Sequence, residues 1–398
     1  VRALVSPYSE VLRGPGALAF TTSALVARVP ISMLGLGVVL LVSGSRGSYG
    51  QAGVVAAALL LSLSVAQPLQ ARVADRLGQP RVVGPLLAVH AGAVVALVLA
   101  VQAGLPVALV ALAAAAVGAS LPPFGSFVRA RWSFRLAGTS LLPTAFALES
   151  VLDEVIFVVG PVLVTLVATQ VGAGPAVAGT LLFTCGGGLA YLLCRSSVPP
   201  RHRPEPGDEN DPLPWRTLLP LVAAFVGMGA AFGAVEVSTV AFADEQGRLP
   251  QAGLVLAAFA AGSMVAGIAF GALAPGQPTR RRFVLGLALL ALALVPTALV
   301  SSLAPLALVL AVAGLAISPT LITGFGLAEH ASARSRVTEA LAWTNTSLAV
   351  GVAAGAAAAG PLIDQIGASG GFLVVVGGGV VGAAASLLLP RRRAAVLA

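Results

Sequence analysis

The ionisable side chains that interrupt apolar runs are few, and they are where chemistry would be done. Arg28 lies near the middle of the first run, Glu149, Asp153 and Glu154 lie together in the fifth, and Glu236 lies in the seventh. A charge at the centre of a bilayer costs about 2.5–3.5 kcal/mol even on the most lenient scale, so each needs a partner or a function. On a helix, Glu149 and Asp153 stand four apart and share a face, whereas Glu154 is turned by about 100° from Asp153 and looks elsewhere. At most two of the three carboxylates meet in one cavity. Like carboxylates crowded where water is scarce cannot all ionise, so one can load and release a proton, which is the chemistry that proton coupling needs. Arg28 has two readings. It forms a permanent buried pair with a carboxylate of the fifth run, or its planar fork takes a substrate carboxylate while Glu236 receives an amine from the opposite half, a pair suited to a zwitterionic or amino-acid-like ligand.

Further polar candidates flank these. Trp343, Asn345 and Thr346 in the eleventh run are candidate cavity residues, with Trp343 equally readable as an interfacial anchor like Trp132 and Trp215. Gln67 and Gln70 are polar liners or helix-helix glue, and His90 reads as a packed, hydrogen-bonded residue. His90, His202 and His330 show no ligand spacing, and Cys185 and Cys194 read as core fillers, so no metal and no cofactor is expected.

The elements that must position these residues follow from composition. Of 398 residues, 58% are hydrophobic and 10% charged, with a mean hydropathy of +0.97, against about 25% charged in an ordinary soluble domain. That much apolar surface calls for lipid as solvent. About 20 apolar residues are needed for a helix to cross a hydrocarbon core of about 30 Å, and the chain offers such stretches near 17–43, 49–70, 82–102, 105–127, 141–168, 174–194, 217–243, 251–274, 283–302, 305–327, 337–364 and 370–389. Runs of this length are helices, since barrel strands would be short and alternating. The first run is expected to stay in the bilayer as an anchor, not to be removed as a signal.

All 23 basic residues are Arg, and they sit between the apolar runs without forming a stripe, which argues against nucleic acid as a partner. Apart from Arg28 within the membrane, only Arg46 and Arg248 fall on the side opposite the termini, against twenty on the termini's side. That bias places both termini in the cytoplasm. The charged, proline-rich stretch 195–216 reads as a cytoplasmic linker, dividing the chain into a six-helix unit at 1–194 and another at 217–398. The units repeat at an offset of 200: Gln51-Ala52-Gly53 answers Gln251-Ala252-Gly253, Gly160-Pro161 answers Gly360-Pro361, and Arg81 answers Arg281. Glu149, Asp153 and Glu154 align with Ala349, Ala353 and Ala354, and Arg28 aligns with Met228. The unshared charges are therefore where coupling is sought.

Residues 71–81, AlaArgValAlaAspArgLeuGlyGlnProArg, resemble the loop motif of the major facilitator superfamily. Asp75, Arg76, Gly78 and Arg81 match, while Ala71 replaces the opening glycine and Pro80 a basic residue; the second copy at 271–281 keeps Gly271 but has Pro275 in the place of the Asp. Residues 158–163, ValValGlyProValLeu, resemble a shortened form of the glycine-proline motif of antiporters in that superfamily, without its trailing glycines. The arginine of the usual antiporter motif on helix 4 has no counterpart within the apolar part, since Arg129 and Arg131 fall at its cytoplasmic end. The resemblance implies an all-α integral membrane fold of twelve helices in two pseudo-symmetric six-helix bundles, located in the cytoplasmic membrane as a monomer. It implies a secondary transporter that moves a small organic solute by alternating access, with protons as the coupling partner. It also implies that Asp75 engages the start of helix 11 near Arg336 to Thr338 as a latch, with Arg76, Gly78 and Arg81 completing the motif, and that Gly160 and Pro161 act as hinge or seal. The expected function is proton-coupled export of an amphiphilic or amino-acid-like molecule. The alternatives are an importer or uniporter, and, from another class, a membrane enzyme acting on lipid-linked substrates or a sensor; no nucleophile, metal or nucleotide motif favours an enzyme.

Overall fold

The computed structural model describes residues 9–136, 139, 141–199, 213–273, 279–332 and 337–390; within these, some side chains, including those of Asp75 and Glu339, lie outside the described set. Among the described residues twelve helices are long and apolar enough to cross a membrane. We number them α1 (Ala17–Arg46), α2 (Tyr49–Leu77), α3 (Gln79–Gln102), α4 (Val107–Arg135), α5 (Leu142–Gln170), α6 (Ala173–Leu193), α7 (Trp215–Glu245), α8 (Ala252–Leu273), α9 (Arg280–Leu294), α10 (Leu303–Ala331), α11 (Val337–Ile366) and α12 (Ala368–Leu387). Connections as short as Gly47-Ser48 and Gly367 alternate the helices between the side of the termini, here the terminal side, and the far side. Gly78 shows how tight the joints are. Its φ of 92° ends α2 and lets α3 start at the next residue, a conformation that disfavours a side chain.

Proline and adjacent breaks place the polar residues. Pro30 has no N–H to donate, and α1 divides into Ala17–Arg28 and Pro30–Arg46 at that point, leaving Arg28 on the last turn of the first segment. In α4 the sequence Leu121-Pro122-Pro123 separates Val107–Ser120 from Phe124–Arg135. Hydropathy alone ends this helix near residue 127, with Arg129 and Arg131 at its cytoplasmic end. Instead the second segment runs on to Arg135, burying Phe127, Val128, Arg131 and Trp132 against the N-terminal half. Helix α10 is also divided, into Leu303–Gly314 and Ile317–Ala331, about a turn and a half nearer its start than the repeat offset would place the break.

The halves meet along two seams, α2 with α11 and α5 with α8, and both are built from the residues that repeat at the offset of 200. Gly53 of α2 lies against the carbonyl of Ala356, and Gly360 of α11 lies against the carbonyl of Tyr49. In the equivalent place Gly253 of α8 lies against the carbonyl of Pro161 and within 2.7 Å, measured from a Cβ placed on it, of Thr165 Oγ1. With no Cβ in the way the backbones approach closely, and in lipid such packing stands in for the hydrophobic drive. Both contacts lie toward the far side.

Candidate functional site

Four charged residues from three helices close into one network inside the N-terminal half. Arg28 of α1 places Nη2 2.5 Å from Glu149 Oε2 and Nη1 2.7 Å from Asp153 Oδ1, both on α5. Arg129 of α4 places Nη2 2.7 Å from the other Asp153 oxygen. The remaining Glu149 oxygen accepts a hydrogen bond from Trp132 Nε1 at 2.8 Å, and Arg28 Nε donates to the carbonyl of Ala24 at 3.2 Å. Two cations and two carboxylates leave no net charge, and every oxygen and every guanidinium nitrogen that faces the network has a partner. That is the condition under which ion pairs persist in a low-dielectric interior. Burial is graded: Glu149 is wholly buried, while the Asp153 and Arg129 side chains are 33% and 35% exposed. The network thus reaches from the core to the accessible surface. Trp132, read from the sequence as an interfacial anchor, is buried here, with its ring edge-on to Phe20 at 4.6 Å.

Two other intramembrane carboxylates have no cationic partner among the described residues. Glu154, one residue beyond Asp153, points away from the network, as a 100° step requires. Its Oε1 accepts from Ser318 Oγ of α10 at 3.1 Å, and Ser318 in turn shares a hydrogen bond of 2.7 Å with Ser263 of α8. This carboxylate therefore bridges the two halves through hydroxyls alone. Glu236 of α7 lies against Gly35 of α1, its Oε1 only 2.9 Å from the place a Cβ on Gly35 would take, and it has no hydrogen-bond or ion-pair partner among the described residues. Both face from one half to the other.

The other expected residues distribute as follows. Thr346 is half-buried on α11, Asn345 is exposed with Nδ2 bonded to the carbonyl of Leu341 at 3.1 Å, and Trp343 is exposed and packs edge-on against Trp215 at 5.7 Å on the terminal side. Gln70 donates to the carbonyl of Ala119 at 2.6 Å and so ties α2 to α4. His90 is wholly buried, with Nδ1 facing the carbonyl of Val117 at 3.2 Å and Ser120 Oγ at 3.3 Å. Gly160 packs on Ser32 of α1, whose Oγ donates to the carbonyl of Ile156 at 2.9 Å, and Pro161 is the seam residue under Gly253. In the loop motif Arg76 and Arg81 are exposed and Gly78 forms the joint, whereas the Asp75 side chain and residues 333–336 lie outside the described set.

Sequence reasoning missed a second polar cluster behind that loop. Arg131, fully buried, donates to Gln79 Oε1 at 3.0 Å, to the carbonyl of Cys194 and to Ser197 Oγ, each at 2.9 Å, and stacks over the Tyr191 ring at 3.5 Å. Tyr191 Oη also donates to Gln79, and Gln79 Nε2 donates to the carbonyl of Phe127. The cluster binds the start of α3 and the start of the linker to α4 and α6. The available signal was the run Arg129-Ala130-Arg131-Trp132 directly after the apolar part of α4, with Arg and Trp in one helical turn.

This arrangement can be set beside known proteins. Comparison with curated protein sequences finds no significant match. Among solved structures, the fold resembles the nucleoside transporter NupG (TM-score 0.68, 14% identity, 94% of this chain and 100% of that one). It also resembles the human organic anion transporter MFSD10 (TETRAN) (0.64, 16%, 95% and 100%) and an auto-inhibited peptide transporter of the POT family (0.71, 15%, 94% and 96%). At these identities the likeness speaks for the fold. The family model of the Major Facilitator Superfamily matches residues 20–276 and 238–397, nearly the whole chain, and with twelve spans in two repeated halves around this polar centre the chain belongs to the Major Facilitator Superfamily of membrane transporters.

Proposed function

We propose that this transporter is a proton-coupled exporter of small, amine-bearing amphiphilic or amino-acid-like molecules, working by alternating access in the cytoplasmic membrane. The observation that carries the reading is the division of the intramembrane charges. Glu149 and Asp153 are neutralised by Arg28 and Arg129, whereas Glu154 and Glu236 have no cation beside them and both face across the halves. A carboxylate left without a cation in the membrane either holds a proton or awaits a positively charged ligand. On this reading Glu154 exchanges the proton, Glu236 meets the substrate amine, and the quartet keeps α1, α4 and α5 as one rigid body.

The seams bear on which side of the transporter is closed. They are closed at the far side, and the part-exposed Asp153 and Arg129 side chains fit access from the terminal side. We read the excess of Arg on that side as marking it cytoplasmic, the side from which an exporter loads. Arg28 has all three guanidinium nitrogens engaged here, which leaves it poorly placed to take a substrate carboxylate and favours an amine met by Glu236.

A thermal-shift screen of the purified protein against matched pairs of lipophilic amines and lipophilic carboxylates tests the substrate class. Amines are expected to stabilise the parent and to lose most of that effect in Glu236→Gln. Stabilisation by the carboxylates alone would overturn the assignment.

A further inference from the structure

We propose that Asp364 and the first turn of α2 form a latch that holds the two halves together at the far side and opens once in each transport cycle. Asp364 stands at the far end of α11, in the C-terminal half. Its Oδ1 accepts from the backbone N–H of Tyr49 at 2.8 Å, and its Oδ2 accepts from the backbone N–H of Gly50 and from Ser48 Oγ, each at 2.8 Å. The donors belong to the N-terminal half. Beside them Tyr49 Oη donates to Asp244 Oδ2 at 3.1 Å, a second carboxylate offered by the C-terminal half.

The first backbone N–H groups of a helix have no partner within it, and they carry the positive end of the helix dipole. A carboxylate is the group that satisfies both, with hydrogen bonds strengthened by its charge. Helix α2 does not need Asp364 to exist, because Ser48 Oγ already accepts from Gln51 N at 3.2 Å as its local cap. The carboxylate from α11 is an addition that can leave. Asp364 is exposed at the surface, so on opening it passes into water and no charge is stranded in lipid. A contact of this kind biases an equilibrium without trapping one state.

The surrounding residues are shaped for the contact. A Cβ on Gly50 would come within 2.8 Å of Asp364 Oδ2, and Gly360 lies directly against the backbone of Tyr49 and Gly50. The second seam, which repeats the first, is not shaped this way. Two hundred residues away, Ser48, Tyr49 and Gly50 correspond to Arg248, Leu249 and Pro250, and Asp364 corresponds to Val164. Pro250 has no N–H to give and Val164 has no oxygen to receive it. The latch is therefore specific to the α2–α11 seam and is no remnant of the duplication. It also does not depend on what is carried or on which carboxylate takes the proton.

The test uses the full chain in lipid nanodiscs, in a Cys185→Ser, Cys194→Ser background. Spin labels go on Val171→Cys and Leu299→Cys, exposed far-side positions in the two halves, and in a second sample on Leu193→Cys and Leu388→Cys at the terminal side. Pulsed electron resonance then reads both distances without any substrate. Asp364→Asn should raise the ratio of far-side-open to far-side-closed molecules about tenfold, as expected for losing charge-assisted hydrogen bonds. Gly50→Ala, which drives a methyl group into the carboxylate, should shift the populations in the same direction. The terminal-side distance should shorten as the far side opens. Distributions unchanged from the parent in both variants would overturn the latch. If Asp364→Asn does not accumulate as folded protein, Gly50→Ala is read alone, and a far-side distance unchanged from the parent there overturns the latch.

Discussion

Replacing Glu149 by Gln changes one oxygen to an amide nitrogen and removes one charge from a wholly buried site. Arg28, which faces Glu149 at 2.5 Å and Asp153 at 2.7 Å, is left to share Asp153 with Arg129, so two guanidinium groups depend on one carboxylate. Removing one partner of a buried pair costs about 3–5 kcal/mol because the other charge stays behind. Since the glutamine still accepts a hydrogen bond and Asp153 remains, the loss falls near the bottom of that range, at about 3 kcal/mol. Removing both partners together gives a different result. Arg28→Met with Glu149→Leu deletes the charges and fills the space with apolar atoms, which in other buried pairs is close to neutral. The assay is equilibrium unfolding of the purified protein in mixed micelles, with Arg28→Met and Glu149→Leu measured singly and together as a double-mutant cycle. A cost below about 0.5 kcal/mol for Glu149→Gln, the size of a surface substitution, or a double variant no more stable than the sum of the singles, would refute the claim that this network fixes α1 to α5.

Other variants test the remaining parts. Trp132→Phe keeps the ring beside Phe20 but removes the N–H that Glu149 accepts; a loss of about 1.5–3 kcal/mol is expected for a hydrogen bond to a charged group, measured in the same unfolding assay. Gly253→Val forces two methyl groups against the Pro161 carbonyl at the α5–α8 seam. Reconstituted transport should fall at least tenfold while the purified protein remains monodisperse; retained transport would show that this approach is not needed for closure. Arg131→Lys keeps the charge but loses the fork that reaches Gln79, Cys194 and Ser197 together, so destabilisation by about 2 kcal/mol is expected although the substitution is formally conservative.

The membrane fold was readable because length and apolarity alone specify a spanning helix, and because lipid permits few alternatives. The repeat was more informative than its few matched residues suggested: Gly53, Gly253, Pro161 and Gly360 turned out to be the seam contacts themselves. The site was legible by half. Intramembrane charges are rare enough to pick out one by one, and the helical step correctly separated Glu154 from Glu149 and Asp153. Their partners were not legible. The apolar run of α4 fades near residue 127, so hydropathy alone puts Arg129 and Trp132 at an interface, whereas the helix continues to Arg135 and brings them into the core they complete. Ser318 and Ser263 carried no signal, because a serine in a membrane helix can satisfy itself on its own backbone and only the fold shows which ones reach a carboxylate. Asp364 lay at a helix end, where a charge costs little, and its role depends on a strand of chain more than three hundred residues away.

The central claim is that Glu154 exchanges a proton when substrate binds. The direct measurement is proton release from weakly buffered, purified protein on addition of the amine that most stabilises it in the thermal-shift screen, followed with a pH indicator. The parent is expected to release protons in proportion to bound amine, and Glu154→Gln to bind the amine with no release. Equal proton release from the parent and from Glu154→Gln would contradict the account.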